Sequence, residues 1–191
     1  MLRTCTCAIA LGLGILAIGT SRAADVKVGD AAPSFEASDD SGKPWKSSDH
    51  YGKNIVVVYF YPADFTGGCT TQACGFRDNL SKLTDKGVEV VGISGDSAKT
   101  HEAFKKFHKL NFTLLADEKG ETAKKFGVPV NKGGTSKAKI DDVEQTFEQG
   151  VRIQRWTFVI GKDGKVAFKN DKANPAEDSK KIMDVVGKLK K

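Results

Sequence analysis

The sequence predicts an α/β fold in which a mixed central sheet is flanked by helices, and three features indicate it. A nearly continuous β-branched and aromatic run at residues 54–61 predicts a strand that is buried on both faces. After this run, amphipathic helical segments alternate with short apolar segments, as expected of strand–helix–strand units. A turn at residues 161–164 then predicts a closing β-hairpin before the last helix.

The first residues have the pattern of an export signal. Arg3 precedes an uncharged apolar run at residues 7–19, and residues 21–23 (Ser-Arg-Ala) place small residues at the two positions that a signal peptidase recognises. The apolar run is shorter than the roughly 20 residues of a spanning helix, which argues against a retained membrane anchor. We therefore expect residues 1–23 to be a signal peptide. Residues 24–191 would then be one exported domain, in the periplasm or an equivalent compartment.

Charge and length favour a single soluble domain. The chain has 191 residues and a net charge of +6, and loss of Arg3 and Arg22 with the signal would leave +4. The remaining length is sufficient for one domain with a proper core. The only dense basic run, at residues 188–191, lacks the interleaved aromatic residues of a nucleic-acid site. We expect no nucleic-acid partner, and no stable membrane anchor after cleavage.

The first half of the mature chain is predicted as a hairpin followed by two strand–helix units. Short segments around Phe35 and Trp45, joined by a turn-rich stretch, predict the hairpin. The helix predicted after the central strand, at residues 69–86, has one apolar face and a C-cap at Gly87. The next predicted elements are a strand, a helix, a strand and a short helix, at residues 88–94, 97–109, 111–115 and 119–126.

Residues 130–150 interrupt this alternation. Their first part, with Asn131, Gly133 and Gly134, has the composition of a loop. We therefore predict a surface insertion with partial helix over residues 141–147. The last predicted elements are a strand, its hairpin partner and a final helix that starts near Asn174, at residues 152–160, 165–169 and 174–190.

Two cysteines follow the signal, Cys69 and Cys74, and their setting suggests thiol chemistry. Cys69 follows Gly67 and Gly68 and opens the predicted helix, where unpaired N–H groups and the positive end of the dipole stabilise a thiolate. This stabilisation matters because a free cysteine, with a pKa of about 8.5, is mostly protonated at neutral pH. The glycines allow the backbone to approach a small substrate closely, and Thr66 can direct its hydroxyl to the same place.

A disulfide between Cys69 and Cys74 cannot form on an intact helix. Five helical residues turn the second side chain about 140° away and separate the Cα atoms by about 8–9 Å, beyond the roughly 7 Å limit for a disulfide. The bond requires the first helical turns to unwind, which suits a catalytic bridge that forms and breaks. So short a loop would also add little as a static bridge. The alternatives are such a static bridge, or two buried apolar cysteines.

The stretch around Cys69 resembles the peroxiredoxins, through the P-x-x-x-T-x-x-C pattern of Pro62, Thr66 and Cys69. The second cysteine, within Cys-Thr-Thr-Gln-Ala-Cys-Gly-Phe-Arg-Asp, is similar to the bacterioferritin comigratory protein branch, also called Q-type. The likeness covers nearly all of the mature chain and includes residues 28–35 and 155–160. It implies a thioredoxin-like fold, with no metal or organic cofactor.

The resemblance implies a thiol-dependent peroxidase of the atypical 2-Cys type, which would reduce hydrogen peroxide and organic hydroperoxides. Cys69 would be the peroxidatic cysteine and Cys74 the resolving one, and a thioredoxin-like dithiol would reduce their disulfide. Thr66 and Arg155 would hold the thiolate and the peroxide, with Arg155 polarising the peroxide oxygens. Pro62 would shield a pocket to which Gly68 also contributes. The resemblance also suggests a monomer.

One position departs from the family pattern. The residue before the glycine that precedes the peroxidatic cysteine is usually proline in the family, and it is Gly67 here. Glycine loosens this loop, because it leaves more backbone freedom to be lost on folding. Arg77, further along the same predicted helix, is either a support for the site or an ordinary helix-surface charge.

Two other functions on the same fold stay open. A disulfide oxidoreductase that acts on proteins would be expected to carry C-x-x-C, whereas this chain has C-x4-C. A copper-binding protein would combine two close cysteines with a distant histidine, for which His50, His101 and His108 are available. However, His101 and His108 lie on a lysine-rich predicted helix, where surface histidines are common. A non-catalytic binding module has no positive support in the sequence.

Overall fold

The protein, described by a computed structural model over residues 25–140 and 142–189, has a seven-stranded mixed sheet with helices packed on it. The sheet order is β2-β1-β5-β4-β3-β8-β9, and β6 and β7 form a separate two-stranded sheet. The predicted α/β fold is thereby confirmed. The elements are β1 Glu36–Asp39, β2 Pro44–Lys46, β3 Ile55–Phe60, α1 Gly67–Thr84, β4 Val88–Ser94, α2 Ala98–His108, β5 Thr113–Ala116, α3 Glu121–Lys125, β6 Val130–Ile140, β7 Val143–Ile153, β8 Thr157–Ile160, β9 Val166–Asn170 and α4 Asp178–Leu189.

The predicted signal peptide, residues 1–23, lies outside the described residues. Within the described part, none of the helices combines the length and the apolar character that crossing a bilayer requires.

The central strand β3 separates two hydrophobic layers. All six of its residues are buried, as the unbroken apolar run predicts. Because side chains alternate along a strand, Val57 and Tyr59 pack against α1 and α4, while Val56 and Val58 pack on the opposite face with α3. The two layers hold the sheet rigidly at the strand from which the loop to α1 departs.

The parallel strands place the site. Strands β3, β4 and β5 run parallel, and their carboxyl ends therefore meet at one edge of the sheet. Ligands of α/β sheets bind at this edge. The chain leaves β3 there, turns through residues 61–66 and enters α1.

The helix ends differ from the predicted bounds by one to four residues. Helix α1 begins at Gly67, two residues before the predicted start, and Gly87 after it has φ +64°. Ser97 caps α2, accepting a 3.2 Å hydrogen bond from the Thr100 amide. Helix α4 begins later than predicted, at Asp178, although Asn174 already caps the preceding turn through the Ala176 amide at 3.0 Å.

The prediction of partial helix within residues 130–150 is wrong. This segment forms most of a long antiparallel hairpin, β6–β7, paired from Val130 with Ile153 to Ile140 with Val143. Of the residues predicted to be helical, 143–147 lie in β7, and residue 141 lies outside the described residues. The predicted strand at residues 152–160 is also divided, because residues 152–153 end β7 and only 157–160 form β8.

Gly133, which indicated a loop, and Gly150 serve close backbone packing instead. A Cβ at Gly133 would lie 2.0 Å from the Gln149 carbonyl oxygen, and one at Gly150 would lie 2.2 Å from that of Glu118. Only glycine permits such an approach. The Gly150 amide donates to the Gly95 carbonyl at 3.0 Å, which ties the base of the hairpin to the loop after β4. The hairpin is therefore fastened to the sheet edge that carries the site.

Candidate active site

Cys69 lies in the first turn of α1, with its side chain buried at 2% exposure. Thr66 is the extended N-cap residue, and the first intrahelical bond runs from the Thr70 amide to the Thr66 carbonyl at 2.9 Å. The amides of Gly67, Gly68 and Cys69 precede that bond and have no carbonyl partner within the helix. They and the helix dipole favour negative charge at the cysteine sulfur or on a ligand beside it.

Arg155 reaches Cys69 from the far end of the sequence. It lies in the short connection between β7 and β8, and the pairing of Thr157 with Tyr59 brings this connection beside the end of β3. Its Nη2 donates a hydrogen bond to the Cys69 Sγ at 3.2 Å. The structure thus brings together the two residues that the sequence placed 86 positions apart.

Gly68 borders the same region. A Cβ added at Gly68 would lie 3.4 Å from the Arg155 Nη2 and 3.5 Å from the Pro175 ring, so even a methyl group would fill space beside the sulfur. Pro62 is half-buried at the start of the loop. Gly67 faces open space, since a Cβ there would meet nothing within 4 Å.

The hydroxyl of Thr66 has a backbone partner in the loop before α1. It donates to the Ala63 carbonyl at 2.9 Å, across the turn that leads into α1. That bond braces the loop and leaves the oxygen lone pairs as acceptors. No hydrogen bond joins Thr66 to Cys69 within the described residues.

Cys74 lies partly buried in the second turn of α1, and both cysteines are reduced. Because α1 is continuous from Gly67 to Thr84, the helix geometry keeps their Cα atoms about 8–9 Å apart. Arg77, one turn further, donates through Nη1 to the His108 carbonyl at the end of α2 at 2.6 Å, and through Nε to Asp78 at 2.8 Å. It connects two helices and lies beside Cys74 rather than Cys69.

Three residues that the sequence reasoning missed hold Arg155 in place. The Arg155 Nη1 donates to the Gln72 Oε1. The Gln72 Nε2 donates to the Asp178 Oδ2 at 2.8 Å, and the Thr157 hydroxyl donates to the same oxygen at 2.7 Å. Burial raises the pKa of Asp178, while the bonds from Thr157 and Gln72 act in the opposite direction. Gln72 lies three residues after Cys69, so its polarity on a buried helix face was the available signal.

A second buried polar cluster supports the loop before α1. His101 donates through Nδ1 to the Asp64 Oδ2 at 2.7 Å, and its Nε2 lies 3.2 Å from the Leu115 carbonyl. Tyr61 donates to the other Asp64 oxygen at 2.8 Å, and the Asp64 amide donates to Asp96 at 2.9 Å. Every side chain of the cluster is buried. The loop is therefore anchored to both α2 and the end of β4.

The expectation that His101 lies on the surface is wrong. Its residue exposure is 0%, because α2 turns this side chain toward the sheet. Burial alone would lower the pKa of His101, but the charge and hydrogen bond of Asp64 outweigh it and raise that pKa. Burial, then the nearby Asp64 charge, raises the pKa of Asp96. Both ring nitrogens of His101 face oxygen acceptors, and the protonated imidazolium, which donates from both nitrogens, satisfies both contacts.

The copper-binding alternative finds no donor set in the described part of the chain. Over residues 25–140 and 142–189, no group of three histidine, cysteine or acidic side chains has an arrangement that could hold a metal ion. His50 instead bonds to Glu89 at 2.8 Å and stacks on Trp45. His108 packs against Phe104 at a ring distance of 4.8 Å.

Comparisons with known proteins identify the family of this chain. A model described as the AhpC/TSA family matches residues 28–169. Peroxiredoxin Q of Sedum lineare, a chloroplast protein, is 53% identical over 112 residues, which is 59% of this chain and 60% of that protein. A putative peroxiredoxin Bcp of Coxiella burnetii is 43% identical over 146 residues, or 74% of this chain and 95% of that protein.

Among solved structures, peroxidoxin BcpB from Mycobacterium tuberculosis has a TM-score of 0.71 at 29% identity, covering 86% of this chain and 98% of that one. This likeness confirms the thioredoxin-like peroxiredoxin fold. The match spans only 60% and 58% of the first plant relatives' own lengths.

Proposed function

The chain belongs to the AhpC/TSA family, in its peroxiredoxin Q and bacterioferritin comigratory protein branch, and we propose from this that it is a thiol-dependent peroxidase. Its substrates are hydrogen peroxide and organic hydroperoxides. The observation that carries the proposal is the 3.2 Å contact of the Arg155 Nη2 with the Cys69 Sγ at a helix N-terminus. That contact holds a thiolate and a hydrogen-bond donor where a peroxide can meet both.

In the first step, the Cys69 thiolate attacks one oxygen of the peroxide. The S–O bond forms while the O–O bond breaks, so the sulfur is oxidised to a sulfenic acid and the peroxide is reduced. The leaving oxygen takes a proton and departs as water or an alcohol. Arg155 and the free amides of Gly68 and Cys69 stabilise the negative charge that develops on that oxygen.

In the second step, the first turns of α1 unwind and bring Cys74 to the Cys69 sulfenic acid. The Cys74 thiol attacks the sulfenic sulfur, the S–O bond breaks, and water leaves as the disulfide forms. Unwinding is required because the helix otherwise holds the two Cα atoms beyond disulfide range. Cys74 is partly buried, so it must also leave its packing.

An external dithiol completes the cycle. We assign this role to a thioredoxin-like protein, which reduces the disulfide by exchange and is itself oxidised to a disulfide. The enzyme works as a monomer, in the compartment to which residues 1–23 would direct it. N-terminal sequencing of the protein from exporting cells is expected to begin at Ala24, and an intact Met1 would contradict export with cleavage.

The proposal is tested with the reduced protein and one equivalent of hydrogen peroxide. We expect rapid consumption of peroxide together with a Cys69–Cys74 disulfide, identified in peptides by mass spectrometry. Cys69→Ser should abolish consumption. Cys74→Ser should complete one turnover and then accumulate overoxidised Cys69, because no resolving thiol remains. Full activity of Cys69→Ser would refute the proposed function.

A further inference from the structure

Asp178, on the last helix, is a buried acidic residue that no step above uses. Its side chain is 0% exposed, and its Oδ2 accepts hydrogen bonds from both Gln72 and Thr157. Gln72 in turn accepts from Arg155, which donates to Cys69. An unbroken chain of hydrogen bonds therefore runs from α4 through α1 to the reactive sulfur.

The chemistry of this chain allows Gln72 only one orientation. A guanidinium only donates hydrogen bonds, and an ionised carboxylate only accepts them. Gln72 lies between the two, so its Oε1 must face Arg155 and its NH₂ must face Asp178. The reverse orientation would oppose two donors at Arg155 and two acceptors at Asp178. Both buried contacts would be lost, and buried polar groups left without a partner are unfavourable.

We propose that Asp178 is a positioning residue of the peroxidase site, which fixes the orientation of the Gln72 amide and thereby holds Arg155 against Cys69. This inference rests on the proposed function, but what it claims about the structure concerns the reactivity of the Cys69 thiol alone. The hydrogen bonds of Asp178 go to Gln72 and Thr157 and not to the Cys69 sulfur. Its effect passes through Gln72.

Two variants of Asp178 separate the effect of its charge from the effect of its two hydrogen bonds. Because Gln72 and Thr157 both donate to the Oδ2, Asp178→Asn can keep both bonds on its single amide oxygen while losing the charge. Asp178→Leu loses both bonds. Ser179→Ala is the matched control, since Ser179 is the buried neighbour on α4 that contacts Asn79 of α1 and lies outside the chain to Arg155.

The experiment measures two quantities on the full chain. One is kcat/KM for hydrogen peroxide. The other is the rate of Cys69 alkylation by iodoacetamide as a function of pH, followed on the Cys69 peptide by mass spectrometry. The charged or titratable groups that act on one another around this sulfur are Arg155, Asp178, Tyr59 and Asp64. Alkylation requires no peroxide, so it reports on the thiolate even if the proposed function fails.

We expect Asp178→Leu to lower kcat/KM at least tenfold. It should also raise the pH at which the rate of Cys69 alkylation is half-maximal. Asp178→Asn and Ser179→Ala should stay within threefold of the native protein. Gln72→Leu should match Asp178→Leu, and the double variant should be no worse than either, because both changes break the same chain.

Three results would overturn the inference. The first is a Cys69 alkylation profile in Asp178→Leu that matches the native protein. The second is an equal loss of kcat/KM in Asp178→Asn and Asp178→Leu. The third is a loss of kcat/KM in the double variant that equals the combined losses of the two single variants. If Asp178→Leu does not fold, the variants Gln72→Leu and Gln72→Glu test the inference instead. A carboxylate at position 72 would face Asp178 as a second acceptor, so both variants should move Cys69 alkylation to higher pH. A native profile in Gln72→Glu would overturn the inference as well. Native protein that consumes no peroxide would refute the proposed function alone.

Discussion

Arg155 is the single residue whose contact most directly prepares Cys69 for reaction. Its two terminal nitrogens are shared between the Cys69 Sγ and the Gln72 Oε1. We expect Arg155→Met to lower kcat/KM roughly 10²–10³-fold, the usual loss when one preorganised donor to a developing anion is removed. Arg155→Lys should recover little, because a lysine lacks the planar fork that serves both partners. Steady-state peroxide consumption measures this, and a native rate in Arg155→Met would contradict it.

His101 is a residue whose burial matters for the stability of the folded chain. It forms a fully buried pair with Asp64 at 2.7 Å. Removing one partner of a buried ion pair leaves an uncompensated charge and typically costs about 3–5 kcal/mol. We expect His101→Leu to lower the free energy of unfolding by that amount in urea denaturation. His50→Leu, at a partly exposed pair with Glu89, is the comparison and should cost clearly less.

The same histidine predicts a pH dependence of stability. The pKa of His101 is raised in the folded protein, so the native state holds this proton more tightly than the unfolded chain. The resulting stabilisation is complete below the ordinary histidine pKa of about 6.5 and is lost as pH rises through the folded pKa. Urea midpoints should therefore fall across that range in the native protein. In His101→Leu this part of the fall should be absent, and an identical fall in both would contradict the assignment.

At the scale of one element, the start of α1 combines a reactive site with a helix that must unwind. Gly67 occupies the first helical position, where proline is well tolerated. A Cβ there meets nothing within 4 Å, and Thr66 before it already has the extended conformation (φ −102°, ψ 145°) that precedes proline. Gly67→Pro should thus fit without strain.

Gly67→Pro is expected to raise the free energy of unfolding by about 0.4–1 kcal/mol, through the reduced freedom of the unfolded chain. The same rigidity should slow closure of the Cys69–Cys74 disulfide after peroxide addition. Urea denaturation and quenched-flow peptide analysis measure the two effects. Gly187→Ala, a glycine in α4 with equally open space, controls for a general gain in stability. Faster closure in Gly67→Pro would contradict the requirement for unwinding.

Elements with a strong local signal could be predicted from the sequence, and elements made by tertiary contacts could not. The buried run of β3 and the apolar face of α1 specify their structure locally, and both were predicted closely. The hairpin β6–β7 was missed because its glycines serve close packing against Glu118 and Gln149, which no local pattern encodes. Its chain reversal also uses Asp142 at φ +65° rather than a glycine turn.

The residues of the candidate site also divide into those with a local sequence signal and those brought together by tertiary contacts. Cys69, Cys74 and Thr66 lie in one continuous stretch, so the sequence placed them together. The resemblance was needed to add Arg155, since only the pairing of β8 with β3 brings it near. Asp178 was missed altogether, because a polar residue at the start of a helix ordinarily indicates a solvated cap. Only the packing of α4 on α1 turns it inward to Gln72.

At the scale of the whole molecule, aromatic contacts join the long hairpin and α2 to the loop before α1. Phe65, next to Thr66, has φ +56°, a conformation that a bulky side chain adopts only when its surroundings impose it. The ring of Phe147 in the hairpin stacks on Phe65 at 4.4 Å, and Phe104 of α2 meets it edge-on at 5.1 Å. The hairpin therefore helps to keep the loop in the shape from which α1 starts.

This coupling predicts that a change in the hairpin alters the second step of the cycle. Phe147→Ala removes the stacking partner of Phe65, so it should lower stability by at least about 0.5–1.5 kcal/mol. It should also allow the loop to relax, so that α1 unwinds more readily and the Cys69–Cys74 disulfide closes faster after one equivalent of peroxide. Val143→Ala, at the exposed tip of the same hairpin, should change neither quantity. If Phe147→Ala loses stability while its disulfide closes at the native rate, the hairpin stabilises the fold without influencing the unwinding of α1.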